Sequence, residues 1–270
     1  MTEASSHPCP PAAQAVGKPL PAYLSGRFHL VSTGIGDAGN ITVNAQEVLR
    51  RADVVFGISR LLETFADLLR GKELHDAGHG LFMELIRKDT PAEKADAMEA
   101  EVRQIVRRAA EQGKRIAVMD YGDSMIFGPQ AGFIREFSDL NPVIIPGVSS
   151  FNAANAALAR DVMTGGTSRS VILAAAFDAR EDYAGTDTLQ RLAQTGSTLV
   201  FFAMRSKFEQ LVENLRSVLP GSTPLAVVCH AGRSEQHTAV RATLDTAVAA
   251  LQGREVPFEH LVYVGDFLAD

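Results

Sequence analysis

Short apolar runs alternate with amphipathic stretches along most of this chain, in a β-then-α order. Phe28 to Ser32 reads as a strand that ends in a glycine-rich loop, Thr33-Gly34-Ile35-Gly36-Asp37-Ala38-Gly39-Asn40. A helix capped by Thr42 follows, with Val43, Val48, Leu49 and Ala52 at partial helical spacing, and then a strand over Asp53 to Gly57. From Ile58 to Leu69 the residues Leu61, Leu62, Phe65, Leu68 and Leu69 share a helical face, and Gly71 stops it. The longest amphipathic stretch, Pro91 to Gln112, turns Ala95, Met98, Val102, Ile105, Val106 and Ala109 inward before Gly113 closes it. Strand 115–119, helix 129–138, strand 142–145 and helix 150–159 continue the series, which predicts a largely parallel sheet. Beyond Arg169 strands dominate: Val171 to Ala175, Thr198 to Ala203, Leu225 to Cys229, Ala239 to Thr243 and Leu261 to Val264. The economical division is an N-terminal α/β domain, 27–145, and a C-terminal α/β domain, 146–270. Residues 1–26, rich in Pro, Ala and Ser, lack a basic start and a continuous apolar stretch, so they read as a disordered tail rather than a signal peptide.

Composition narrows the class. A chain of 270 residues with 46% hydrophobic and 21% charged residues has enough apolar side chains for one large or two moderate cores. The net charge of -6, with no basic run longer than Arg50-Arg51 or Arg107-Arg108, argues against a nucleic-acid or anionic-membrane surface. No apolar run reaches the length of a membrane span. Cys9 lies in the tail and Cys229 in an apolar strand, which suggests neither a disulfide framework nor a cysteine metal site and fits a reducing, cytoplasmic setting.

Candidate chemistry collects at strand ends. Asp120-Tyr121-Gly122-Asp123-Ser124-Met125-Ile126-Phe127-Gly128 follows the strand 115–119, at the carboxyl edge of a sheet, where open α/β proteins bind their ligands. The loop Gly34-Ile35-Gly36-Asp37 precedes a helix but lacks the full dinucleotide glycine pattern and any following Lys-Ser/Thr pair, which disfavours a nicotinamide site and a P-loop. Pro146-Gly147-Val148-Ser149-Ser150-Phe151 is a strand-to-helix turn whose serines are placed to cap the helix; the Gly-x-Ser-x-Gly elbow of a serine nucleophile is absent. The histidines show no zinc spacing, and the glycines around His75 and His79 argue against a shared helical face, so no metal site is expected.

In this order the pieces resemble one family, the tetrapyrrole methylases, S-adenosylmethionine-dependent enzymes that methylate precorrins and uroporphyrinogen. The resemblance covers residues 28–268 and rests on the Gly34-x-Gly36-Asp37 loop, Ala52-Asp53-Val54-Val55, Gly122-Asp123 with Phe127-Gly128, Pro146-Gly147-Val148-Ser149-Ser150, Thr198-Leu199-Val200, Ala231-Gly232 with Glu235-Gln236, Thr243-Leu244 and Val264-Gly265. It implies two α/β domains with S-adenosylmethionine held in the cleft between them, usually in a homodimer. By matching position, the implied cofactor contacts are Ile35, Tyr121, Gly122, Asp123, Ile126, Ser149, Ser150, Met204 or its neighbour Ala203, Ala231 and Thr243. Tyr121, beside the second loop, is the candidate catalytic residue for orienting the acceptor. Arg60, Arg87, Arg169 and Arg233 are candidates for the carboxylates of a tetrapyrrole, because guanidinium pairs with carboxylate bidentately.

Departures from the family pattern bear on substrate. The first loop usually reads Gly-x-Gly-Pro-Gly-Asp and here has no proline; the second usually carries proline after Gly-Asp and here has Ser124. Gly57 stands where uroporphyrinogen methylases carry an aspartate. Val55 to Glu63 looks instead like methylases acting late on the precorrin ring, and Ser170 to Leu173 with Ala231 to Gln236 looks like the precorrin-4 type. Two alternatives stand beside this reading. One is a peptide backbone N-methyltransferase of the same fold, whose loop tyrosine matches Tyr121 but whose following histidine and proline are Asp123 and Ser124 here. The other is a cofactor-binding relative without catalysis.

Overall fold

The structure, a computed structural model, describes residues 21–83, 91–163, 168–176, 185–203, 208–254 and 256–269. Two five-stranded sheets carry the fold. The first contains β1 (Phe28–Ser32), β2 (Val54–Gly57), β3 (Glu73–Asp76), β4 (Ile116–Asp120) and β5 (Val143–Ile145) in the order β3-β2-β4-β1-β5. All its pairings are parallel. Strands β1, β2 and β4 are buried along their whole lengths, as helices on both faces of a parallel sheet require.

Helix α1 (Ala22–Ser25) precedes this sheet, and Leu24 is buried in the core beside Val31 and Ile145. The tail assigned to residues 1–26 is therefore too long: residues 1–20 lie outside the described residues, while 22–25 are helical because Leu24 finds an apolar seat. Helix α2 (Val43–Arg51) starts at the expected cap, with the Thr42 hydroxyl accepting the Ala45 N–H at 3.1 Å. It covers one face of the sheet with Ala45, Val48 and Leu49, joined by α3 (Ser59–Thr64) through Leu61. Helix α4 (Ala92–Glu111) and α5 (Gly132–Glu136) cover the other face, through Val102, Ile105, Val106 and Phe133. Strand β3 escaped the sequence reading because it is a four-residue edge strand with a polar, alternating exposure pattern.

Helix α6 (Ser150–Leu158) leads into the second sheet, formed by β6 (Val171–Ala175), β7 (Thr198–Phe202), β8 (Pro224–Cys229), β9 (Thr238–Thr243) and β10 (His260–Val264) in the order β6-β7-β10-β8-β9. Only β6 and β7 are parallel there. The β7–β10, β10–β8 and β8–β9 pairings are antiparallel, so the expectation of a largely parallel sheet holds for the first sheet alone. Helices α7 (Leu189–Ala193), α8 (Phe208–Arg216) and α9 (Ala247–Leu251), unassigned from the sequence, pack on one face through Leu189, Leu211, Leu215 and Ala247. Helix α6 covers the other face with Ala153, Ala154 and Leu158.

Candidate functional site

The connections from β1 and β4 leave for opposite faces of the first sheet, to α2 and α5, and so open a crevice beyond the carboxyl ends of two adjacent strands. Gly34 and Gly122 close this crevice by exchanging backbone hydrogen bonds, Gly34 N–H to Gly122 O at 3.1 Å and Gly122 N–H to Gly34 O at 3.0 Å. Both glycines have positive φ, +74° and +60°. The third turn closes on the second. The Gly147 N–H donates to Asp123 Oδ2 at 3.1 Å, and a Cβ on Gly147 would lie 2.3 Å from the Gly122 carbonyl oxygen. Asp123 also takes the Met125 N–H on Oδ1 at 2.8 Å, so this carboxylate organises its own loop and the turn before α6.

The Asp37 and Ser124 N–H groups tie the first two loops to distant residues, and at Ser124, where the related pattern carries proline, the ring would lack that donor. Asp37 N–H donates to Gly232 O at 2.9 Å, across to the second domain. Ser124 N–H donates to Ser32 Oγ at 2.9 Å, and the two hydroxyls are also bonded at 2.9 Å in a fully buried pair. The loops are fixed by long-range hydrogen bonds in place of ring rigidity.

Loop 33–42 docks on the second domain backbone to backbone. A Cβ on Gly36 would lie 2.2 Å from the Gly232 carbonyl carbon, and one on Gly232 would lie 2.4 Å from Ile35 O. Asn40 Nδ2 donates to both Ile35 O and Gly232 O, and Asp37 Oδ2 accepts the Ser234 N–H at 2.9 Å and the Ser234 hydroxyl at 2.6 Å. Those two bonds hold the Asp37 carboxyl below the usual range. Ile35, Ile126 and Phe127 pack against the core that α6 shares with the second sheet, and Phe127 stacks on Phe202 with ring centroids 5.2 Å apart.

Beneath the second loop sits Asp120, which the sequence reading did not select. It is 1% exposed, and burial pushes its carboxyl up to about 7 against the opposing hydrogen bonds from the Gln130 and Tyr121 N–H groups; the Asp123 charge pushes the same way as burial. An acid at the end of an otherwise apolar strand was the available signal. Tyr121 lies beside it, half-buried, with the Arg60 guanidinium 5.9 Å from its ring centroid. Burial raises the Tyr121 hydroxyl's pKa, Arg60 draws it down and Glu259 pushes it up. Among the described residues, the buried Tyr121 Oη and His230 Nδ1 have no hydrogen-bond partner. His230 has φ +52° and donates its N–H to Glu259 O at 3.0 Å, which sets the segment before β10 against the loop after β8.

The structure therefore brings Ile35, Tyr121, Gly122, Asp123, Ile126, Ser149, Ser150 and Ala231 to one region. Ser149 is buried and committed to capping α6: its hydroxyl accepts the Asn152 N–H and donates to Asn152 Oδ1. Ala203 directly follows β7 at this side; Met204 and Arg87 lie outside the described residues. Thr243 is not brought to this region. It pairs with Pro224 while Cys229 pairs with Thr238, so it stands five residues up the ladder from the Ala231 loop, roughly 17 Å away at strand spacing. Arg169, exposed ahead of β6, is at that far end as well, because β6 and β7 run parallel.

Residues 27–248 match the family described as Tetrapyrrole (Corrin/Porphyrin) Methylases. The chain belongs to that family. This tetrapyrrole methylase is 25% identical over 245 residues to a precorrin-4 C(11)-methyltransferase of Rhodococcus erythropolis, covering 89% of this chain and 91% of that protein. A cobalt-precorrin-4 C(11)-methyltransferase of Methanocaldococcus jannaschii is 27% identical over 243 residues, covering 88% of this chain and 87% of that protein. Among solved structures, a cobalt precorrin-4 methyltransferase superposes with a TM-score of 0.71 at 22% identity, over 93% of this chain and 99% of that one, a likeness of fold. A uroporphyrin-III C-methyl transferase of Thermus thermophilus, solved with S-adenosyl homocysteine, superposes at 0.63 and 20% identity, over 90% of this chain and 99% of that one.

As a tetrapyrrole methylase the protein is a methyltransferase whose methyl donor is S-adenosylmethionine. The residues present fit that donor. Gly122 puts no side chain between the second loop and the turn before α6, whose backbone would be in contact with a Cβ there at 3.7 Å, and the unpartnered Tyr121 Oη and His230 Nδ1 are polar groups a ligand can satisfy.

Proposed function

We propose that this methylase transfers a methyl group to a ring carbon of a precorrin-type tetrapyrrole in corrinoid biosynthesis, with precorrin-4 as the first substrate to try. The observation that carries the reading is the glycine-closed junction of loops 33–42, 120–130 and 146–150 against the second domain, in a chain whose relatives named for precorrin-4 methylation match over nearly their full lengths. Ile35, Tyr121, Gly122, Asp123, Ile126 and Ala231 would line the donor's site, together with the amino-terminal end of α6 at Ser149 and Ser150 and with Ala203 after β7; Thr243 is left out.

The donor supplies an electrophilic methyl on a sulfonium sulfur. What the protein contributes is placement: reacting atoms held about 3 Å apart with water excluded account for a large share of such a barrier. The Gly34–Gly122 and Asp123–Gly147 hydrogen bonds keep the loops in one geometry before any ligand arrives. Tyr121 Oη, kept protonated by burial, donates a hydrogen bond to orient the acceptor. Attack by an electron-rich ring carbon on the methyl releases the neutral thioether and leaves a cationic ring, which later loses an N–H proton to water, so no obligatory general base is required.

The same reading includes a homodimer in the cytoplasm, with domains divided at 27–145 and 146–270. Among the described residues no helix is long and apolar enough to cross a membrane. Calorimetric titration with S-adenosylhomocysteine tests the site. Micromolar binding by the wild type, lost in Gly122→Val, is expected, since valine at φ +60° is strained and its methyls would meet the turn at Ser149. No binding by the wild type would sink the reading, and binding with turnover of a peptide instead of a precorrin would move it to the backbone N-methyltransferases.

A further inference from the structure

Two arginines from different domains converge on one internal carboxylate. Arg60, in α3 just past the end of β2, reaches Glu259 Oε1 through Nη1 at 2.9 Å. Arg233, in the loop after β8, reaches Glu259 Oε2 through Nη2 at 3.4 Å. Each guanidinium spends a single N–H on Glu259, out of five available to it. The Glu259 side chain is 26% exposed and Arg60 is 51% exposed, so the carboxylate has room to leave. The Arg60 guanidinium lies over the Tyr121 ring, and the Glu259 backbone is tied to His230.

We propose that Arg60 and Arg233 form a carboxylate-binding pair at the mouth of the cleft, and that Glu259 occupies it until a carboxylate of the tetrapyrrole takes its place. This rests on the tetrapyrrole reading above. The present contacts are single-point and solvent-touched, the weak kind of ion pair, whereas an incoming carboxylate can meet either guanidinium with two parallel N–H···O bonds. Arg60 belongs to the first domain and Arg233 to the second, so a carboxylate bound by both also holds the domains in register. Specificity for carboxylate-bearing rings follows from the pair, and Glu259 sets the threshold by competing internally.

The test uses uroporphyrin III, a stable octacarboxylic porphyrin, as the probe. Its binding to the full chain is followed by fluorescence, with S-adenosylhomocysteine titrated in parallel. Arg60→Met and Arg233→Met should each weaken porphyrin binding about tenfold. Arg60→Lys should recover part of the loss, and Glu259→Gln should tighten binding severalfold. Porphyrin affinity unchanged in both methionine variants would overturn the proposal and leave the arginines as a plain domain tie. So would Glu259→Gln weakening binding as the arginine variants do, or a wild type that binds S-adenosylhomocysteine and no porphyrin. Arginine-dependent porphyrin binding without S-adenosylhomocysteine binding would keep the pair and instead discard the methyltransferase site.

Discussion

A carboxylate buried to 1% exposure and pushed up to about 7 makes Asp120 a liability whose sign can be worked out. Between its ordinary 3.8 and about 7, the folded chain keeps a proton on Asp120 that the unfolded chain has released. Fold stability from this group therefore falls as pH rises through that window, and the loss is complete above it. Urea denaturation at about pH 5 and about pH 8 should show a smaller difference in Asp120→Asn than in the wild type. The same difference in both proteins would mean that Asp120 titrates normally. What the carboxylate does in return is accept the Tyr121 and Gln130 N–H groups at the two ends of the second loop, so the variant should also lose donor affinity. The sequence marked the loop and missed its anchor, because an aspartate at a strand end reads as turn chemistry until its burial is known.

At the scale of elements, caps and turns were legible and the ties between loops were not. Thr42 and Ser149 cap α2 and α6 as their positions before the apolar periodicity predict. The missing prolines read as lost rigidity, yet Ser124 is held from 92 positions away by Ser32. Restoring the family residue should then do harm. Ser124→Pro removes the N–H donor and leaves the buried Ser32 hydroxyl without its partner, a loss of about 1–3 kcal/mol. Chemical denaturation measures it; a more stable variant would show that ring rigidity outweighs the buried hydrogen bonds. Strand β3 and helices α7 and α9 show the converse limit: at four or five residues each they are too short to display a repeating pattern, and they gain stability from the sheets they join or cover.

Across the whole molecule, the two domains meet through Gly36 and Gly232, the Phe127–Phe202 stack and the Asp37–Ser234 bonds, which couple unfolding of one to the other. Gly232→Ala and Gly253→Ala separate conformational strain from fit. Both glycines have positive φ, +83° and +74°, but nothing lies within 4 Å of a Cβ at Gly253. Gly253→Ala should cost about 1 kcal/mol, and Gly232→Ala clearly more, with weakened S-adenosylhomocysteine binding because Ile35 is displaced. Equal thermal shifts in the two variants would refute a tight domain junction. The sequence by itself determined the strands and helices with strong periodicity, the presence of two α/β domains, the family and the three glycine-bearing loops that meet at the domain junction, since apolar spacing, caps and glycine turns are set by neighbours along the chain. Tertiary structure alone decided that Arg60 meets Glu259 across 199 positions, that Thr243 falls at the wrong end of its strand and that Asp120 is buried. Strand order and direction in a sheet fix which distant residues share an end, and no local pattern encodes that choice.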